Sequence, residues 1–226
     1  MSFGLKRSAA LFLVIFSTAL GQPGKLNVGF DIDDTILYSR YTFEKAPKHS
    51  EGGSDFGWVN SHDRDYSMVI KPVVDLLHYF TTNGHNVYLI TARQEENGER
   101  LAEFLTDQLG IEFEVGRNLF FSGSEKIDGK KYTTKHRVMA YLDLDIYYGD
   151  ADSDIIAALK AKVHPVRVVR HISSVKSYGD SYFGNLTKER TIDNPFQMDD
   201  LKIFYKANVG MFGESIYPII WDGPGN

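Results

Sequence analysis

The stretch Leu26-Asn27-Val28-Gly29-Phe30-Asp31-Ile32-Asp33-Asp34-Thr35 decides how the chain is read. Its first half is apolar, follows Gly24 and Lys25, and has the pattern of a short buried strand. Its second half crowds Asp31, Asp33 and Asp34 together. Carboxylates packed at the end of a buried strand repel one another and lose hydration, so an uncompensated cluster is costly. A bound divalent cation removes that penalty, and hard oxygen ligands suit Mg²⁺. In extended backbone Asp31 and Asp33 face the same side, where one carboxylate attacks and the other handles a proton. The plainer alternative is an acidic turn in which Asp34 or Thr35 caps a following helix.

Outward from that stretch, strands alternate with helices. Residues Tyr38 to Met68 show no sustained period and read as an inserted loop or small cap over the strand ends. Ligands bind at that end of an open α/β sheet. Phe43 and Trp58 are the cap aromatics placed to stack on a flat group such as a nucleobase. The alternative packs them between cap and core. Lys71 to Thr82 predicts a helix, with Pro72 in its first turn and Asn83-Gly84 as its stop. Asn86 to Ile90 predicts a second strand, ending abruptly in Thr91-Ala92-Arg93, and Glu95 to Leu109 a helix stopped by Gly110. A strand over Asn118 to Phe121, a polar loop over Ser122 to Tyr132 and a helix from Lys135 to about Tyr141 come next. Asp145 to Tyr148 predicts a strand running into Gly149-Asp150-Ala151-Asp152-Ser153-Asp154, before a helix over Ile155 to Ala161 and a strand over Val166 to Val169. This alternation predicts an α/β, Rossmann-like parallel sheet with helices on both faces, and a cap insertion, 38–68, after the first strand.

Residues 1–21 stand apart: Lys6 and Arg7, an apolar run from Ser8 to Leu20, and small Ala19 and Gly21 before Gln22. That is the pattern of a cleaved secretory signal, with an apolar core short of the about 20 residues a bilayer span needs. The expectation is an exported protein, periplasmic or secreted, with no membrane attachment after cleavage. With no cysteine, disulfides and thiolate metal sites are excluded. Removing Lys6 and Arg7 leaves 23 basic against 30 acidic side chains, a formal charge of −7. Nucleic-acid polymers, which call for a basic surface, are therefore unlike this chain's partners. A C-terminal extension, 171–226, rich in Tyr, Phe and Asn, is expected to pack on the domain or on a neighbouring subunit. Asn185-Leu186-Thr187 is a glycosylation sequon that has meaning only in a eukaryotic source, and chance is its plainer reading.

In that order, V-G-F-D-I-D-D-T at 28–35, T-A-R at 91–93, T-K at 134–135 and Y-G-D-A-D-S-D-I at 148–155 resemble the haloacid dehalogenase (HAD) superfamily of phosphohydrolases. Within it the chain is similar to the class B bacterial acid phosphatases, with F-G-E at 212–214 and the signal segment adding to the likeness. The resemblance implies an acid phosphatase, a Mg²⁺-dependent phosphomonoesterase acting through an aspartyl-phosphate on small organic phosphates, nucleotides among them. It implies Asp31 as nucleophile and Asp33 as general acid and base. It implies Mg²⁺ held by Asp31, Asp150 and the Asp33 carbonyl, with Asp154 in support. Thr91, Ala92 and Lys135 would hold phosphoryl oxygens, and Arg93 would reach the phosphate or the substrate's sugar side. Asp152 reads as a surface or capping residue. A homo-oligomer, tetramer or dimer, is also implied.

Two departures stand out: Ala92 replaces the usual glycine, and the tail is longer than the family suggests. Acid activity requires a protonated Asp33, with crowding by Asp31 and Asp34 raising its proton affinity and the metal lowering it. The alternatives are a phosphotransferase using the same residues with a nucleoside hydroxyl as acceptor, and a secreted, non-catalytic binding protein on this fold.

Overall fold

The computed structural model describes residues 24–50, 52–127, 130–171, 174 and 219–220. The signal segment, nearly all of the extension, the Asn185 sequon and the 212–214 motif lie outside the described residues. Along the chain come β1 (Asn27–Phe30), β2 (Leu37–Tyr38), α1 (Arg40–Lys45), α2 (Phe56–Tyr66), β3 (Met68–Val69), α3 (Lys71–Thr82) and β4 (Asn86–Thr91). There follow α4 (Gly98–Leu109), β5 (Leu119–Phe121), β6 (Ser124–Ile127), β7 (Lys130–Thr133), α5 (Lys135–Tyr141), β8 (Ile146–Gly149), α6 (Asp152–Ala161), β9 (His164–Val169) and β10 (Ile219–Ile220).

The main sheet has the order β10-β9-β8-β1-β4-β5, and every pairing in it is parallel. The strand of the deciding stretch therefore sits between β4, which ends in Thr91, and β8, which leads into Asp150. Alternation along the strands sends side chains to opposite faces. Phe30, Leu89, Leu119, Tyr148 and Val166 pack with Val73, Leu77 and Phe80 of α3 and Leu101 and Leu105 of α4. Ile90 and Tyr147, one residue out of phase, pack instead with Met139 of α5 and Ala157 and Ala158 of α6. Helices cover both faces, as the alternating pattern predicts. Gly29 permits this layering: a Cβ there would lie 2.5 Å from Leu144 Cδ1 and 2.8 Å from Tyr147 Cδ2.

Several boundaries differ from the sequence reading. The helix expected from Glu95 begins at Gly98, because Asn97 takes a left-handed φ of 55° and breaks the preceding turn. The helix expected from Ile155 begins at Asp152. The polar loop over 122–132 contains the antiparallel ribbon β6–β7. The chain beyond Phe30 is a turn, with Ile36 N–H and Leu37 N–H both donating to Ile32 O at 2.9 and 2.8 Å. Extended alternation therefore does not set the Asp31–Asp33 relation. No helix follows for Asp34 or Thr35 to cap: β2 comes next.

The insertion is closed at its base. Leu37 pairs with Val69 and Tyr38 with Met68, so the chain leaves and re-enters the domain at one two-strand ladder. Among the described residues no helix is long and apolar enough to cross a membrane.

Candidate active site

Asp31 leaves β1 directly, with its N–H donating to Tyr148 O at 2.8 Å across to β8. The residue is buried. Lys135, the first residue of α5, is buried as well, and its Nζ donates to Asp31 Oδ1 at 2.5 Å and to Asp154 Oδ1 at 2.7 Å. The other Asp154 oxygen accepts from Ala151 N–H at 3.2 Å, which ties it to the start of α6. Asp150, at the end of β8, accepts from Thr35 Oγ1 at 3.2 Å and from the Arg170 guanidinium. Arg170 also approaches Asp34 Oδ2 at 3.5 Å.

Burial pushes the Asp31 carboxyl well above the usual carboxylate range, Asp154 and Asp150 push it the same way, and Lys135 opposes them. Burial raises Asp34 to about 7, with Asp150 adding to the rise and Arg170 and Ser174 resisting it. Asp150 is raised as well, burial again leading. Burial works against the Lys135 ammonium, but Asp154 and Asp31 outweigh it and keep the charge in place. One oxygen each from Asp31, Asp150 and Asp154 lie within 4.8 Å of one another. Among the described residues, Lys135 and Arg170 are the cations paired with the side chains of Asp31, Asp34, Asp150 and Asp154, so four hard carboxyl donors, three of them raised by burial, face two cations. A divalent cation fits that donor set, and ionising carboxylates on binding it would release protons.

Asp33 is set differently. Its side chain keeps 28% exposure, and Arg93 grips both its oxygens, Nε to Oδ2 at 2.9 Å and Nη2 to Oδ1 at 2.6 Å. Ser39 Oγ adds a third bond at 2.5 Å. Burial pushes Asp33 up, but Arg93 and Ser39 outweigh it and hold the carboxyl below its ordinary value. The sequence reading expects crowding by neighbouring aspartates to raise it. The paired guanidinium reverses the sign.

Of the other residues singled out in the sequence, Thr91 is buried at the end of β4 and its Oγ1 accepts from Arg93 N–H at 3.2 Å. Ala92 is exposed beside it. Phe43, on α1, lies under the Arg93 guanidinium at 5.4 Å and meets Phe56 edge-on at 6.2 Å. Trp58 stacks on His62 at 4.0 Å and on Tyr66 at 6.0 Å, an aromatic row along α2. Asp31, Asp150, Asp154 and Lys135 thus form one cluster, Asp33, Arg93 and Phe43 a second beside it, and Trp58 belongs with its own helix.

Several residues escaped the sequence reading, Ser39 beside Asp33 and Ser174 beside Asp34 among them. Asp63 and Asn60 of α2 hold the far side of Arg93. Arg167 and Arg170 lie in and just after the apolar run of β9. Arg167 donates to Asp150 O at 2.6 Å and to Asp152 Oδ1 at 2.8 Å, so Asp152 is a buried ion-pair partner and not a surface residue. The signal was present in V-R-V-V-R, since charges are almost never buried unpaired.

Gly149 brings α6 down onto the strand end: a Cβ there would lie 2.4 Å from Asp154 Cβ. Gly149→Ala is therefore expected to displace Asp154 from Lys135. Such overpacking costs about 1–3 kcal/mol. The check is a lower urea midpoint with an unchanged m-value, together with weaker stabilisation by Mg²⁺. An unaltered midpoint would show that the helix shifts freely.

Residues 8–191 match the model of the HAD superfamily, subfamily IIIB (acid phosphatase). Among curated proteins the chain is similar to the class B acid phosphatase of Morganella morganii, 31% identical over 163 residues, covering 68% of this chain and 66% of that protein. It is 30% identical over 165 residues to the class B acid phosphatase of Proteus mirabilis (strain HI4320), covering 69% and 68% of the two chains. The matches thus span about two thirds of those relatives' length. A predicted phosphatase from Clostridium acetobutylicum, a solved structure, is 20% identical with a TM-score of 0.43, over 69% of this chain and 91% of that one, a likeness too loose to carry weight. The chain belongs to the HAD superfamily, subfamily IIIB, the acid phosphatase subfamily.

Proposed function

We propose that the protein is an acid phosphatase, a Mg²⁺-dependent phosphomonoesterase working through an aspartyl-phosphate on Asp31. The observation that carries this reading is the buried Lys135 bridge between Asp31 and Asp154, set against the Asp31, Asp150 and Asp154 carboxylates. A buried carboxylate at a strand end, steadied by an ammonium and flanked by excess acid, is built for in-line attack on a phosphoryl group.

In the first step an Asp31 oxygen bonds to phosphorus as the ester P–O bond breaks, and Asp33 passes its proton to the leaving oxygen. In the second, Asp33 takes a proton from the water that displaces phosphate from Asp31. Thr91, Lys135 and the backbone at Ala92 hold the phosphoryl oxygens. Asp31, Asp150 and the Asp33 carbonyl, supported by Asp154, would hold Mg²⁺, which neutralises charge on the phosphoryl oxygens when bound. Arg93 serves Asp33 and not the phosphate, since its donors are already engaged. Because Arg93 holds Asp33 low, its protonated form grows only toward acid, which supports acid-side turnover.

The relatives' names support phosphate esters as substrates, and Phe43, set against Arg93, supports nucleotides among them, whereas Trp58 is stacked within α2 and gives that reading no support. The 1–21 pattern supports export to the periplasm or medium. Purified protein is expected to release phosphate from p-nitrophenyl phosphate and 5′-AMP with Mg²⁺, to stop in EDTA, and to run faster at about pH 5.5 than at about pH 8. Activity indifferent to EDTA would refute the metal, a flat pH profile the acid preference, and inert folded protein the enzyme.

A further inference from the structure

The guanidinium of Arg93 is fully engaged. Nε and Nη2 hold Asp33, Nη1 donates to Asn60 Oδ1 at 3.1 Å and to Asp63 Oδ2, and Nη2 also reaches Asp63 Oδ1 at 3.3 Å. Five N–H groups thus make five bonds, the full capacity of the side chain. Arg93 keeps 1% exposure and Asp63 none. A buried arginine between two carboxylates is held from both sides, and its planar fork faces whichever way the second acid sets it.

Asp63 belongs to the insertion, on α2, and is itself braced: Ser67 Oγ donates to its Oδ1 at 2.5 Å, and Ser67 meets Thr42 Oγ1 at 2.7 Å. Asn60, one turn earlier, donates to Gln94 O at 3.0 Å and Glu96 O at 2.7 Å, which seats α2 on the segment after Arg93. A line of buried polar bonds therefore runs from the insertion through Arg93 to Asp33.

We propose that Asp63 is a positioning residue of the reaction: without touching the reacting atoms, it sets Arg93 so that Asp33 points at the leaving oxygen. This rests on the phosphatase reading. In kcat/KM, which reports the steps up to departure of the alcohol and not the later hydrolysis of the intermediate, Asp63 then matters only where the leaving oxygen needs a proton. An alkyl phosphate such as 5′-AMP needs one; 2,4-dinitrophenyl phosphate does not, because the phenolate departs unaided.

The test compares kcat/KM on the two esters for wild type, Asp63→Ala, Asp33→Asn and the double variant. Asp63→Ala is expected to lower 5′-AMP hydrolysis about 30-fold, a modest share of what general acid catalysis supplies, and to leave the dinitrophenyl ester within about 3-fold. In the Asp33→Asn background it should cost nothing further, because the two residues act in one line. Equal losses on both esters, no loss on either, or a full further loss in the double variant would overturn the proposal. If Asp63→Ala does not fold, Asp63→Asn keeps the shape and is expected to show the same selective loss at about 5-fold; without it the proposal fails. Wild type inert toward both esters would overturn the phosphatase reading and this proposal with it, whereas active wild type with equal losses would overturn this proposal alone.

Discussion

Asp31→Asn is expected, on the proposed aspartyl-phosphate mechanism, to lose turnover by about 10⁴-fold or more, and yet to melt higher than wild type in chelator. The two effects share a cause. In the folded chain the Asp31 carboxyl holds its proton well above the usual carboxylate range, chiefly through burial and then through Asp154. A group bound more tightly to its proton when folded costs stability as pH rises above the unfolded value, about 4 for aspartate, until the folded value is reached. The amide that replaces the carboxyl does not titrate, so the variant's advantage should vanish below about pH 4 and grow toward neutrality. Thermal melts in EDTA between about pH 4 and 7.5, beside single-turnover assays in Mg²⁺, check both halves. A variant that melts lower at every pH would show that Asp31 rests there without repulsion. Added Mg²⁺ should raise the wild-type midpoint far more than the variant's.

Lys135→Met is expected to fail in the opposite sense, losing both activity and stability. The ammonium neutralises Asp31 and Asp154 at 2.5 and 2.7 Å, and burial keeps solvent from taking over. Removing one partner of a buried charge cluster costs about 3 kcal/mol, here read as a midpoint lower by roughly 6–12 °C. Turnover should fall about 10²–10³-fold, the usual loss of one charge-stabilising donor. Mg²⁺ should recover part of the stability, because it supplies positive charge to the same carboxylates, but not the rate. Retained kcat with a raised KM would recast Lys135 as a binding residue only.

The parallel sheet was legible because its strands announce themselves: apolar runs ending abruptly in Asp31, in Thr91-Ala92-Arg93 and in Gly149-Asp150. A strand end is where an apolar run stops and chemistry begins, so strand order and residue type coincide there. What was not legible depended on partners far along the chain. Arg93 looked like a phosphate ligand because its fork suits one, and nothing near it reveals that two residues of α2, Asn60 and Asp63, already fill that fork. Asp152 looked solvated because its partner, Arg167, lies in a different strand. The ribbon of 124–127 and 130–133 was hidden by its polar residues, lysines above all, which give no apolar alternation. The turn after Phe30 was misread as extended because three acids in four positions carry no backbone signal of their own.

The ladder at the foot of the insertion, Leu37 with Val69 and Tyr38 with Met68, makes 39–67 a cassette with adjoining ends. Such a segment can be exchanged between proteins without disturbing the domain beneath it. Here the exchange would carry away Asn60 and Asp63, and Arg93 would remain in the domain with its bonds to them gone. If Asp63 positions Asp33 through Arg93 as proposed, a graft chosen only for the substrate it admits is expected to lose the acid step. One that also restores a carboxylate opposite Arg93 would keep it.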